Sequence, residues 1–104
     1  MKVKVKTELK GMDGKVIHKD EAKKEVLTIG DVLIVCLQTA LKGDDEDSGE
    51  QRIKKFNIMK ELHSNNKEIE MDSSEITLMK ERILKIYPNP IIYGRMCEAF
   101  GDSK

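Results

Sequence analysis

Cys36, Cys97, His18 and His63 are the residues of this 104-residue chain best suited to nucleophilic or metal chemistry. A thiolate beside an imidazole makes a nucleophile and its base, and Cys36 with His63 is the combination to weigh. It requires both side chains in one cleft. Cys36 instead lies in Val32-Leu33-Ile34-Val35-Cys36-Leu37, the most apolar stretch of the chain, where a thiol stays protonated and inert. The four residues are scattered singly, without the paired spacings that fold around zinc. Neither G-x-G-x-x-G nor G-x-x-x-x-G-K-[ST] occurs, so no phosphate-cradling loop of either kind is written here. The run Asp44-Asp45-Glu46-Asp47-Ser48-Gly49-Glu50 offers carboxylates to a hard cation. It lacks the D-x-D-x-D-G spacing and the distal bidentate glutamate of a calcium loop. The plainer reading is a solvated loop that repels its own charges; mimicry of nucleic-acid phosphates is the other. These residues therefore predict no catalytic group, no metal site, no cofactor and no enzyme.

Binding is the alternative to catalysis. Lys2, Lys4, Lys6 and Lys10 form one cationic ridge, and Arg52, Lys54, Lys55 and Lys60 another. A nucleic-acid face needs such clusters, ideally interleaved with aromatics that stack on bases. The chain has only two Phe and two Tyr, and the single aromatic in the second ridge, Phe56, falls on the expected core face. The segment from Tyr87 to Arg95, Tyr-Pro-Asn-Pro-Ile-Ile-Tyr-Gly-Arg, is the least ordinary. Tyr87 and Tyr93 bracket a rigid turn, Gly94 would let a second backbone come close, and Tyr and Arg are common interface anchors. Tyr87, Tyr93 and Arg95 are thus the candidate partner-binding residues, set against a plain helix–helix corner in which the tyrosines pack around the prolines.

The elements that must position these groups follow from periodicity. Val3, Val5, Thr7 and Leu9 alternate with Lys2, Lys4, Lys6 and Glu8, the pattern of a half-buried strand. Gly11-Met12-Asp13-Gly14 supplies a tight turn, and residues 15–19 a second strand. Residues 2–19 therefore read as a β-hairpin with Leu9 facing Val16. A charged connector, 20–27, leads to a helix over 28–42, opened by Thr28 with Asp31 and closed by Lys42-Gly43. Its centre is apolar almost all round, so it is buried on most sides or covered by a partner. Ser48 with Gln51 caps a helix over 49–63, with Ile53, Phe56, Met59 and Leu62 expected on its core face. Ile69 and Met71 alternate with Glu68 and Glu70 in a short extended segment. Asp72 with Glu75 opens a helix over 73–87, carrying Ile76, Met79, Ile83 and Ile86. Asn89 and Pro90 open the last helix, 90–100, which Gly101 ends. The fold class is α+β, mostly helical: an N-terminal hairpin followed by four helices around one core, a single domain over 1–104.

Composition bounds the rest. The chain has 19 Lys+Arg against 19 Asp+Glu, so no overall basic field draws in nucleic acid. No apolar run approaches the roughly 20 residues of a membrane span, and no apolar block follows the first lysines as in a secretory signal. Two separated cysteines in apolar surroundings read as buried thiols, with a disulfide between them the less supported alternative. A soluble protein of a reducing cytoplasm is expected.

Laid out in order, four groups of residues form a pattern: Leu9…Asp13-Gly14-Lys15; Leu27-Thr28-Ile29-Gly30-Asp31-Val32-Leu33; Met71-Asp72-Ser73-Ser74-Glu75-Ile76 ahead of Lys85-Ile86-Tyr87-Pro88; and Ile92-Tyr93-Gly94-Arg95. The pattern resembles a loose group of small, uncharacterised bacteriophage and prophage proteins. They carry a D-G-K hairpin, a T-[LI]-x-[DE]-V-L helix start and a Y-x-P-x-[IV]-x-G ending. The resemblance covers most of the chain and brings no catalytic residues. It implies a viral or prophage origin, the host cytoplasm or the virion as location, and a non-enzymatic role.

The combined expectation is a small phage-type protein that acts by protein–protein interaction, on a host factor, a virion component or itself. The apolar helix over 28–42, larger than one small core needs, is its contact surface if part of it is exposed. The alternative is a nucleic-acid-binding regulator that uses Arg52, Lys54, Lys55 and Lys60.

Overall fold

Thr28 opens the central helix. Its Oγ1 accepts the Asp31 N–H at 3.2 Å, and the Asp31 carboxylate accepts the Thr28 N–H at 3.0 Å, closing a capping box. Helix α1 then runs over Ile29–Gln38 and buries Ile29, Gly30, Val32, Leu33, Cys36 and Leu37. The computed structural model describes residues 1–20, 22, 24–64 and 66–101. In chain order its elements are β1 (Lys2–Lys4), β2 (His18–Asp20), β3 (Glu25–Val26), α1, a single 3-10 turn at Asp44–Glu46, α2 (Gly49–His63), β4 (Glu68–Glu70), α3 (Ser73–Ile86) and α4 (Pro90–Ala99). The fold is α+β with four helices, as the periodicity predicts. α1 packs against α2 and α3, and α3 against α4. Val3, Leu9, Leu33, Met71, Met79, Ile83 and Met96 meet in one core.

The local caps form where the sequence places them. Ser48 with Gln51 and Asp72 with Glu75 make two further capping boxes, and the Asn89 side chain accepts the Ile91 N–H at 2.8 Å beside Pro90. Gly101 ends α4 with φ of 89°, a conformation that costs glycine little.

The strands differ from the expected hairpin in partner and register. β1 pairs antiparallel with β4, Val3 opposite Ile69, with Lys2 opposite Glu70 and Lys4 opposite Glu68. Opposed charges on the outer face and two buried β-branched residues on the inner face make this a favourable ladder. The chain turns at Val5–Lys6, so the alternation breaks and Thr7 faces solvent. The Gly11–Gly14 turn does form, with the Gly11 N–H reaching the Lys15 carbonyl at 2.9 Å. It sets Lys10, not Leu9, opposite Val16. Leu9 instead joins a closed backbone ring: its N–H bonds to Leu27, its carbonyl accepts from Ile17, and Ile17 accepts from Leu27. The second ladder is β2 with β3, His18 opposite Val26. Of the charged connector, Glu21 and Lys23 lie outside the described residues, while Glu25–Val26 is strand.

α1 is shorter than the expected 28–42. It stops at Gln38, and Thr39 is extended. The expected terminator, Gly43, has a left-handed φ of 97° but opens the 3-10 turn instead. The cause lies far away in the chain. Arg82 of α3 takes up the carbonyls of Cys36 and Thr39, each at 2.6 Å, and leaves the last turn no reason to continue.

Candidate functional site

Both ends of α1 are closed by the rest of the chain. At the N-terminal end the Ile29 and Gly30 N–H groups bond to the carbonyls of Thr7 and Val5, so together with Asp31 three first-turn donors are satisfied. At the other end lies the Arg82 guanidinium, only 5% exposed. Its remaining donors form a two-pronged pair with Asp44, at 2.8 and 3.2 Å. Asp44 also accepts the Leu41 N–H at 2.8 Å, and Lys55 reaches both Asp44 and Asp47. The Arg82 guanidinium and these hydrogen bonds hold the Asp44 carboxyl far below the usual carboxylate range. The acidic run is therefore not simply a self-repelling solvated loop. Two of its carboxylates are structural, and no buried side-chain polar atom among the described residues lacks a partner. A cation amid apolar residues on α3, one position before Ile83 and three after Met79, was the sequence signal for this cluster.

The thiol and imidazole do not share a cleft. Cys36 is fully buried under Arg82, whereas His63 ends α2 and faces solvent. Burial pushes the Cys36 thiol up to about 11, against a weaker opposing pull from the Arg82 charge. Cys36 and Cys97 are both free thiols. Among the described residues no group of three His, Cys, Asp or Glu is arranged to hold a metal ion, and no helix is long and apolar enough to cross a membrane.

The Tyr87–Arg95 segment folds as a helix corner. Tyr87 and Tyr93 are half-buried and pack against the core. Burial raises the Tyr87 hydroxyl, helped by the Asp31 charge and, at alkaline pH, by the Cys36 thiolate. Arg95 donates to the carbonyls of Lys10 and Gly11, at 2.9 and 3.2 Å, and to Glu98 at 3.0 Å, tying α4 to the first turn. Gly94 is exposed with open space where a Cβ would stand, so no second backbone approaches it. The close approach falls at Gly30, where a Cβ would sit 3.1 Å from the Val5 carbonyl oxygen.

The second cationic ridge is dispersed. Lys55 points inward to its carboxylates, Lys54 donates to Ser74 at 2.6 Å, Arg52 donates to the Asp45 carbonyl, and Lys60 sits 5.6 Å from the centre of the Phe56 ring. In the first ridge Lys2 and Lys4 stand opposite glutamates of β4.

Apolar surface gathers on the outside of α2. Ile58 and Leu62 face the core beside Lys55, and this turns Ile53 and Phe56 outward, 61% and 59% exposed. That corrects half of the expected core face: Leu62 is buried and Met59 packs against the core, whereas Ile53 and Phe56 do not. Ile53, Phe56, Met59 and Leu62 recur every three residues, and at about 100° per residue a run of threes walks around the helix. Ile53 and Leu62 consequently lie on opposite sides. The surface expected on α1 is not there: its apolar side chains are largely absorbed by α2 and α3, with Val35 the most open at 38%. Ile53 and Phe56, one turn apart and bordered by Arg52 and Lys60, are the candidate site. No family model matches the chain, and no curated protein or solved structure matches it either.

Proposed function

We propose that this chain is a small, non-enzymatic, phage-type protein that acts by protein–protein interaction, modulating a host factor or taking part in virion assembly. The outer face of α2 carries the reading. Two large apolar side chains one helical turn apart, each more than half exposed, stand on a helix whose inner face already supplies the core. Covering them with a partner would contribute about 1.5–3 kcal/mol for each side chain fully buried. Lys60 over the Phe56 ring holds a cation at the rim of the patch. An aromatic anchor bordered by a cation is the arrangement that commonly dominates interface energetics. The resemblance in residue pattern to phage and prophage proteins supports the viral origin.

The test compares capture from host lysate by the parent chain and by an Ile53→Asp/Phe56→Asp variant with an unchanged melting temperature. A protein retained by the parent and lost by the variant supports the reading. Equal retention by both, or nucleic acid as the retained species, refutes it.

A further inference from the structure

A groove of about 530 Å³ lies between the N-terminal segment and the C-terminal end of α4, away from the α2 patch. Small-molecule sites are commonly about 300–1,000 Å³, mostly apolar, with a few polar groups fixing orientation. This groove has that make-up. Met1 and Ala99 supply the accessible apolar part of its wall, together with the aliphatic stems of the lysines, while Leu9 and Ile29 behind them are each only 1% exposed. Lys2, Lys4, Lys10 and Arg95 stand on its rim against two carboxylates, Glu8 and Glu98. Arg95 and Glu98 pair with each other at 3.0 Å, so the three lysines face only Glu8 within the groove. Glu70 and Glu68, opposite Lys2 and Lys4 on the ladder, do not line it. The rim is firmly placed: Arg95 grips the Lys10 and Gly11 carbonyls, and the Ile29 N–H bonds to the Thr7 carbonyl. An apolar wall beside a cationic rim selects an apolar body bearing a single negative charge.

We propose that this groove binds a medium-chain fatty acid, its alkyl chain against Met1, Ala99 and the lysine stems and its carboxylate among Lys4 and Lys10. The inference is independent of the α2 reading. Decanoate is the probe, with decanol and decyltrimethylammonium as controls of equal chain length, titrated against the full chain while backbone amide signals are followed by NMR. Decanoate should shift the amides of residues 7–10, 14 and 95–101 saturably, with a dissociation constant at or below about 1 mM. Decanol should bind more weakly and the ammonium not at all. A Lys10→Glu variant, altered at the rim and outside the β1–β4 ladder, should bind decanoate at least about tenfold more weakly while melting like the parent. The proposal is overturned by the absence of saturable shifts, by shifts confined to Ile53 and Phe56, by equal binding of the ammonium, or by unchanged affinity in the variant.

Discussion

The Arg82 guanidinium lies 2.8 Å from the Asp44 carboxylate, and the pair sits where α1 ends. Breaking a buried charge pair by removing one partner costs on the order of 3–5 kcal/mol. Asp44 is partly open to water, which places Arg82→Ala near about 3 kcal/mol. Arg82→Lys should recover only part of this, because an ammonium cannot reach Cys36, Thr39 and both Asp44 oxygens together. Urea unfolding of the three proteins measures the order; equal stability of the lysine variant and the parent would contradict the geometry.

The same pair sets an acid dependence. The folded Asp44 carboxyl titrates well below its unfolded value of about 3.9. Its stabilisation is thus present above that value and lost as pH falls below it. The stability difference between the parent and Asp44→Asn should be largest near neutrality and shrink between about pH 4 and pH 2. Unfolding free energies at a series of pH values check the sign.

Gly30 and Gly94 form a matched test of backbone approach. A methyl group at Gly30 meets the Val5 carbonyl, which also accepts the Gly30 N–H at 2.8 Å. Gly30→Ala should cost about 1–3 kcal/mol, the range for overpacking. Gly94→Ala meets nothing inside a helix and should stabilise by about 0.5–1 kcal/mol. Thermal melts of both variants should move in opposite directions.

Which face of α2 is inside can be read from stability alone. Ile58→Ala should cost about 2–5 kcal/mol, as buried isoleucines do. Ile53→Ser and Phe56→Ser should change stability by no more than about 0.5 kcal/mol each. A large loss at Phe56 would restore the core face expected from the spacing of threes.

Burial separates the two thiols. With its pKa near 11, Cys36 is almost wholly protonated at pH 8 and closed to solvent, while Cys97 is half-buried. A thiol-specific disulfide reagent should label Cys97 first and Cys36 only as fast as the protein opens. Comparable rates for both would place Cys36 at the surface.

What the sequence made legible was local. Thr28 with Asp31, Ser48 with Gln51 and Asp72 with Glu75 each act over three residues, and all three capping boxes form. What escaped was non-local. Arg82 meets partners up to 46 residues away, and nothing in its neighbours names Cys36 or Asp44. The β1–β4 pairing left a faint trace, since Lys-Val-Lys and Glu-Ile-Glu are complementary in charge and alike in pattern. A neighbouring turn at Gly11–Gly14 offered a nearer partner and hid it. The α2 patch escaped because a repeat of three was read as a fixed face.

The Val3–Ile69 pairing also governs when the protein can first exist as a folded body. Residues 2–4 are made well before their ladder partners, since Val3 pairs with Ile69. Until then Val3 and the Val5 carbonyl that caps Gly30 have no settled place. The nascent chain must therefore hold its apolar central helix, complete at Gln38, incompletely covered until α3 ends at Ile86, the interval in which a chaperone would find it.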